Sequence, residues 1–239
     1  MAEVSSNPRL YARIAGLLYL LVIVLGAMEE VAIRGRIFVA GDAAATFANM
    51  KAMESLWRLG IASELFLGIC NIVLTLILYA LLRPVSRDLA LLATFFGLIA
   101  TAVETAFTLP LFEALFPLGK AAYLSAFTPD QLAAMTSMSI KAHGTGFGIA
   151  LLLFGPFFFI VGYLIFKSGF IPKAIGLLYM IPAVCYTTSS FALILAPAFA
   201  NRYYFVMAGP AVIGEGALTL WLLVKGVNVE RWRERAGLR

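Results

Sequence analysis

The sequence predicts an all-α fold: a polytopic membrane protein built as a six-transmembrane-helix bundle, with two long outer loops that each contain a helix. Hydrophobic residues make up 62% of the 239 residues and charged residues only 13%, about half the charged fraction of a soluble domain. The apolar residues fall in six continuous runs of roughly the 20 residues that a helix needs to cross a bilayer. Continuous runs differ from the alternating segments of a transmembrane barrel.

These six runs place the spans. We expect residues 1–239 to form one integral membrane domain. The first run follows Arg9 and Arg13, as the apolar core of a signal peptide would, but it is long for such a core, so we expect a retained helix. The predicted spans are 10–28, 59–82, 89–112, 145–166, 171–197 and 205–224.

The basic residues predict the orientation. The short connections after the second and fourth spans carry Arg83, Arg87, Lys167 and Lys173. Because lysine and arginine concentrate in cytoplasmic loops, we expect a multi-pass protein of the cell (inner) membrane with both termini in the cytoplasm. The net charge of +5 then indicates membrane lipid as the partner, and not nucleic acid.

The two outer connections, residues 29–58 and 113–144, are each about thirty residues long, which exceeds the usual length of a loop between helices. Asp42 is a suitable N-cap for a helix over residues 43–57. In the second connection, the sequence Thr-Pro-Asp-Gln beginning at Thr128 has the pattern of a capping box at the start of another helix. Each helix is either a lid on the outer mouth of the bundle or an interfacial strut.

Three glutamates lie well inside predicted spans: Glu64, Glu104 and Glu215. An ionised carboxylate in hydrocarbon is costly, so such a residue normally faces the bundle interior. Their neighbours at helical spacing are small or polar, which is typical of a packed helix interface. We therefore predict a carboxylate-lined pocket open to the outer side. Its candidate residues are Glu64, Asn71, Thr101, Glu104, Thr108, Tyr186 and Glu215.

Arg58 and His143 are candidates for the outer mouth of this pocket. Arg58 follows Glu54 by four residues and can pair with it on one helix face, or it can reach toward the acid of the second span. His143 lies where the second outer connection meets the fourth span, either as a ligand or as a solvated cap. Glu29, just beyond the first span, is most simply an interfacial residue.

A short internal echo links the first and fifth spans. Residues 13–19, Arg-Ile-Ala-Gly-Leu-Leu-Tyr, are similar to residues 173–179, Lys-Ala-Ile-Gly-Leu-Leu-Tyr. Transporters commonly carry internal repeats, but chance also produces such matches in a sequence with so few residue types.

The whole chain resembles a known family through blocks that run over nearly its full length. They are residues 13–21 (RIAGLLYLL), 41–46 (GDAAAT), 81–85 (LLRPV), 162–165 (GYLI) and 214–215 (GE) followed by 221–226 (WLLVKG). On these residues the chain resembles the bacterial polytopic membrane proteins catalogued as domain of unknown function 4386. The resemblance implies a six-helix inner-membrane protein and no activity. Asp42 and Glu215 fall inside these blocks, whereas Glu64 and Glu104 fall outside them.

Three functions of different classes stay open. The acids could line the pocket of a proton-linked carrier or binder of a small amphiphile, holding protons because burial disfavours the charged form. They could instead bind a hard metal such as Mg or Mn together with His143, in a membrane enzyme acting on a lipid or small substrate. Alternatively, they hydrogen-bond to neighbouring helices in a purely structural or interaction protein.

The sequence does not decide whether the protein is an enzyme, and a homo-oligomer is compatible with it. We expect no cofactor. A single histidine, His143, cannot supply both axial ligands of a bis-histidine haem. No lysine lies in the middle of a predicted span, where a retinal Schiff base would need one. The expected ligands are therefore a small amphiphile, a proton and membrane lipid.

Overall fold

The fold is all-helical in the computed structural model, which describes residues 7–238 and, for residues 201–208, the backbone alone. No strand occurs among these residues. The α-helices are α1 (Pro8–Met28), α2 (Gly35–Ile37), α3 (Ala43–Ala52), α4 (Glu54–Leu82), α5 (Arg87–Ala106), α6 (Leu109–Glu113), α7 (Pro129–Ser168), α8 (Lys173–Leu195), α9 (Pro197–Val224) and α10 (Val229–Arg235). A π-helical turn joins α1 to α2, and two short 3₁₀ turns lie between α6 and α7.

Five helical segments of the described chain are long and apolar enough to cross a membrane. A sixth, Gly209–Val224, qualifies only together with Val229–Arg235, from which it is bent by 103°. The chain therefore has five or six candidate spans. The five are Pro8–Ile37, Glu54–Leu82, Arg87–Leu118, Pro129–Ser168 and Lys173–Leu195.

Large apolar side chains are exposed along these helices. Ile69 is 61% exposed, Val184 66% and Ile213 64%. Water-soluble proteins rarely expose contiguous apolar surface on this scale. An outward-facing apolar surface on long helices is what contact with lipid tails requires.

The first predicted outer loop is shorter than expected. The helical path of the first span does not end at Met28 but continues to Ile37 through the π-helical turn Glu29–Arg34. Asp42 accepts a hydrogen bond from Ala45 N (2.8 Å) at the start of α3. This helix ends at Ala52, five residues before the predicted end, so the remainder of the predicted helix belongs to α4.

The second predicted loop helix is not separate from the fourth span. The capping box forms, because Thr128 N donates to Gln131 Oε1 (2.8 Å) and Gln131 N donates to Thr128 Oγ1 (3.3 Å). The helix that it starts then runs without interruption for 40 residues, to Ser168. Gly144 and Gly146 lie at the junction, but no proline does, so every residue there has an N–H to donate and the backbone hydrogen bonds continue.

The chain divides into two compact units, and each contains one polar cluster. The larger unit consists of residues 1–22, 70–101 and 148–239, and the smaller unit consists of residues 23–69 and 102–147.

A broken helix shapes the smaller unit. Helix α5 ends at Ala106, just before Pro110, and α6 is only five residues long, so several carbonyl groups between them lack helical partners. Side chains supply the missing donors: Trp57 Nε1 binds Leu111 O (2.9 Å) and Thr136 Oγ1 binds Ala114 O (3.1 Å). The surrounding apolar core contains Ile33, Ile37, Met50, Trp57, Ile61, Leu111, Ala114, Leu115 and Ile140.

Close helix contacts build the larger unit. A Cβ added to Gly16 would lie 2.9 Å from Leu223 Cα, and one added to Gly176 would lie 2.7 Å from Gly162 O. Glycine lets these backbones approach, as small residues do at helix interfaces in membranes. At the C-terminal end, the buried Trp232 donates from Nε1 to Leu81 O (2.9 Å) and holds α10 in the unit.

Candidate functional site

The first polar cluster begins at the π-helical turn of the smaller unit, Glu29–Arg34. A π-helical turn pairs residues five apart, whereas an α-helix pairs residues four apart, and such turns are frequent at functional sites. Here the extra residue brings Glu29 and Arg34 to one side of the helix, with 3.9 Å between Oε2 and Nη2. Glu29 is 3% exposed, so the protein itself encloses this side chain.

Arg34 is the centre of what we call the charged cluster: Glu29, Glu30, Arg34, Glu64 and His143. Its Nε lies 3.1 Å from Glu30 Oε2, and its Nη1 lies 3.7 Å from Glu64 Oε2. Nη1 also donates a hydrogen bond to Nε2 of His143. One guanidinium therefore faces three carboxyl groups, and its planar fork of five donors suits this geometry.

The hydrogen bonds of His143 define its protonation. Nδ1 donates to Phe107 O (2.9 Å), one of the carbonyls left free by the broken helix, while Nε2 accepts from Arg34. This pattern assigns a neutral imidazole with its proton on Nδ1. His143 is 4% exposed and stacks on Phe147, so it is not the solvated cap considered above.

Glu64 is held at both carboxyl oxygens. Thr108 Oγ1 donates to its Oε1 (3.2 Å), while Oε2 faces Arg34. His143 Nδ1 lies 3.6 Å from the same Oε1. Three predicted site residues, Glu64, Thr108 and His143, therefore lie together in the smaller unit.

A small cavity adjoins the charged cluster. Glu29, Arg34 and Glu64 form its polar part. Its apolar walls are formed by Ile33, Trp57, Gly60, Ile61 and Leu111. The space in the cavity that a water-sized group can occupy is about 10 Å³, roughly that of one water molecule, so it suits a single small group.

The second polar cluster, the tyrosine cluster, lies in the larger unit and consists of Tyr19, Tyr179, Tyr186 and Glu215. Tyr19 OH donates to Glu215 Oε2 (2.9 Å), and Tyr186 OH donates to Glu215 Oε1. The hydroxyls of Tyr19 and Tyr179 lie 3.0 Å apart. Each oxygen of the carboxyl group thus has its own phenol, and a third phenol extends the network.

Aromatic packing encloses the tyrosine cluster. The Phe158 ring lies 5.0 Å from that of Tyr179 and 5.4 Å from that of Tyr186. Tyr19 is 3% exposed and Tyr179 is fully buried. Among the described side chains, no lysine, arginine or histidine forms an ion pair or hydrogen bond with Glu215.

Comparison with known proteins gives a family. The model of the family described as a domain of unknown function, DUF4386, matches residues 14–226. The chain belongs to this family. It is also similar to an uncharacterised protein of Archaeoglobus fulgidus, with 29% identity over 159 residues, which cover 66% of this chain and 78% of the archaeal protein. No solved structure matches it.

The remaining predicted pocket residues of this DUF4386 protein, Asn71, Thr101 and Glu104, do not line the cavity. Glu104 is half-buried in the smaller unit. Thr101 and Asn71 belong to the larger unit, with Thr101 buried and Asn71 half-buried. The structure therefore assigns Glu64 and Glu215 to separate clusters, each with its own partners.

Arg58 is not the partner of Glu64. Its Nε donates to Glu54 Oε1 (2.8 Å), which confirms the predicted pair four residues apart, and its side chain is 58% exposed. Arg34 takes the place beside Glu64 instead. The spacing of Glu30 and Arg34, also four residues, was the available signal for this arginine.

The charged cluster is a poor match for a metal centre. Within residues 7–238, no group of three or more histidine, cysteine, aspartate or glutamate side chains is arranged to hold a metal ion. The guanidinium of Arg34 lies among the carboxyl groups that a cation would need. The residues that would bind Mg or Mn are already paired with a positive charge.

Proposed function

We propose that this protein binds a small amphiphile with a cationic head group at the charged cluster, and that binding is linked to proton release. The observation that carries the proposal is the charge of the cluster. Three carboxyl groups face one guanidinium, and the hydrogen bonds of His143 keep that ring neutral. Glu29 and Glu64 are buried, whereas Glu30 is half exposed, and two buried carboxylates beside one guanidinium still leave a negative charge that is costly to bury. Protons or a cationic ligand therefore have to neutralise it.

The cavity supports an amphiphile over a simple ion. Its polar part is formed by Glu29, Arg34 and Glu64, whereas Trp57 and Leu111 are among its apolar walls. An ammonium group would bind at the carboxyl groups, and a short alkyl chain would replace water along the apolar side. The enclosed space of about 10 Å³ admits only a small head group such as an ammonium, so the alkyl chain would extend out of the cavity.

We propose that this cluster lies on the outer side of a bacterial inner membrane. The support is the distribution of basic residues, since the short connections with Arg83, Arg87, Lys167 and Lys173 lie at the other ends of the spans. We propose cytoplasmic termini on this ground. A site near the outer face would take up its ligand from the exterior or from the outer leaflet.

Binding is tested by calorimetry on the purified protein in lipid nanodiscs. The probes are short n-alkylammonium ions, with n-alkylsulfonates of the same chain length as charge-reversed controls. We expect alkylammonium binding to weaken by roughly tenfold in Glu64→Gln, as the loss of about 1.4 kcal/mol would give. The matched control is Glu104→Gln, since Glu104 lies in the same unit but outside the cavity lining. Sulfonates that bind as tightly as ammonium ions would contradict the proposal.

Proton linkage has its own readout. Titrations in buffers with different ionisation enthalpies report the number of protons released on binding, and we expect a net release in the wild type that falls in Glu64→Gln. In proteoliposomes with a trapped pH dye, an alkylammonium gradient should move protons if the protein is a carrier. Binding without proton movement would make it a binder alone.

A further inference from the structure

We propose that Glu215 and its three tyrosines form a separate proton-binding site, in which the carboxyl group holds a proton at neutral pH. The inference goes beyond ligand binding at the charged cluster and does not depend on it. It rests on the geometry of the tyrosine cluster: a carboxyl group within hydrogen-bond reach of Tyr19 and Tyr186, and no positive charge among its partners.

Every element packed against Glu215 presents a neutral group. Helix α1 contributes Tyr19, α8 contributes Tyr179 and Tyr186, and α7 contributes the ring of Phe158 against these two tyrosines. Glu215 is half-buried in a helix that is apolar enough to enter a membrane, and a carboxylate in such surroundings without a paired cation normally takes up a proton. The groups that face Glu215 offer hydrogen bonds, and none of them offers a charge.

The basic residues with described side chains elsewhere on α9 and α1 are distant from the acid. Lys225 follows Glu215 by ten residues on α9, which corresponds to about 15 Å at 1.5 Å per residue. Arg13 on α1 is exposed and precedes Tyr19 by six residues, about 9 Å along the axis. The proton is therefore the available neutralising partner.

The hydrogen-bond chain accommodates both states of the acid. When Glu215 is ionised, Tyr19 donates to Oε2 and Tyr179 donates to Tyr19. When Oε2 carries a proton, the acid can donate to Tyr19, because either hydroxyl of the Tyr19–Tyr179 pair can be the donor. The direction of the bonds reverses while the heavy atoms stay in place. Such a chain allows a proton to be bound and released without a change of fold.

A proline inside helix α8 lies beside the acid. Pro182 lies between Tyr179 and Tyr186 and has no N–H to donate to Leu178 O. Gly214 packs directly against that carbonyl, where an added Cβ would collide with it. The backbone contact next to Glu215 therefore fixes its side chain between tyrosines on both sides of the proline.

Infrared spectroscopy tests the proposal on the full chain in lipid nanodiscs. A protonated carboxyl group has a C=O stretch that is separate from the carboxylate bands and shifts in heavy water. At neutral pH we expect this band in the wild type and in Glu64→Gln, and its loss from the difference spectrum of Glu215→Gln. A wild-type band that persists unchanged in Glu215→Gln, or the absence of any such band, would overturn the proposal.

A second variant keeps the test valid if Glu215→Gln does not fold. Tyr186→Phe retains the acid and removes one donor, so the carboxyl band should shift in frequency and not vanish. Phe158→Leu is the matched control, since it changes the packing beside Tyr186 and leaves every hydrogen bond to Glu215. Bands that stay fixed in Tyr186→Phe would show that the protonated group is not Glu215. Alkylammonium binding to these variants reports on the charged cluster separately.

Discussion

The charged cluster and the tyrosine cluster each place a carboxyl group inside a helix of spanning length. The two carboxyl groups differ in the partners that offset their negative charge. Glu64 has the guanidinium of Arg34 at 3.7 Å, together with hydroxyl and imidazole neighbours. Glu215 has phenols only. The role of a buried acid therefore depends on its partners more than on its depth. In our proposals, Glu64 shares one guanidinium with two other carboxyl groups, so a cationic ligand can take the place of a bound proton there, whereas Glu215 has only phenols and binds a proton.

Both clusters are located where a helix departs from regular geometry. The π-helical turn brings Glu29 and Arg34 together in the smaller unit. In the larger unit, Pro182 interrupts the hydrogen bonds of α8 between two of the tyrosines. Such interruptions re-aim side chains and free backbone groups, and they are common at functional sites. The comparison indicates that local helix distortion assembles each cluster.

Removing the guanidinium of Arg34 from the charged cluster should have the largest effect on stability. Arg34→Met leaves three carboxyl groups facing one another, and breaking a buried ion pair on one side costs about 3 kcal/mol or more. In a chain of this size we expect the thermal unfolding midpoint in detergent to fall by about 6–12 °C. The double variant Arg34→Met/Glu64→Gln should recover part of the loss because one unpaired charge is gone. No recovery would contradict the central place given to the Arg34–Glu64 pair.

A smaller loss is expected from crowding the helix contact beside the tyrosine cluster. Gly214→Ala forces a methyl group against Leu178 O and within 2.8 Å of Pro182 Cδ, which should cost about 1–3 kcal/mol. Gly216→Ala is the matched control on the same helix, since nothing lies within 4 Å of the added methyl group. It should be neutral or stabilising by about 0.5–1 kcal/mol. Equal effects of the two substitutions would show that close approach does not position Glu215.

The loss of one phenol tests the charge state of Glu215 by its magnitude. Tyr186→Phe should cost about 0.5–1.5 kcal/mol if the acid is neutral, and about 1.5–3 kcal/mol if the hydrogen bond is made to a charged group. We expect the lower range in thermal unfolding. Tyr19→Phe should give a similar value, because Tyr19 donates to the other oxygen of the same group. Losses in the higher range would indicate that Glu215 is charged, and the proposed difference between Glu215 and Glu64 would then be contradicted.

The sequence predicted the all-helical class and the acids inside the spans as site candidates, since both follow from hydropathy and the cost of charge in lipid. It did not identify Arg34 as a partner of these acids. Hydropathy ends the first span at Met28, where charged residues begin, and no sequence pattern signals a π-helical turn. The ion pairs that stabilise this extension depend on Glu64, a residue distant in sequence. Hydropathy averaged over a window cannot detect a partner of that kind.

The sequence also could not predict which tyrosines surround Glu215. The echo between residues 13–19 and 173–179 ends at Tyr19 and Tyr179, whose hydroxyls lie 3.0 Å apart. Gly16 and Gly176 of the same echo both lie at close backbone contacts. The repeated pattern therefore contains two residues of the tyrosine cluster. A match over seven common residues, however, cannot be distinguished from chance without the structure. Helix rotation, which sets which tyrosines face Glu215, depends on packing.

The smallest effect should come from the other arginine that pairs four residues along a helix. Arg58 and Glu54 have the same spacing as Arg34 and Glu30, and their contact of 2.8 Å is shorter than the 3.1 Å of the Arg34 pair. The Arg58 side chain is 58% exposed, however, against 22% for Arg34. Water screens an exposed pair, so Arg58→Gln should change stability by less than about 0.5 kcal/mol. A loss comparable to that of Arg34→Met would show that spacing matters more than burial and the shared acids of the charged cluster.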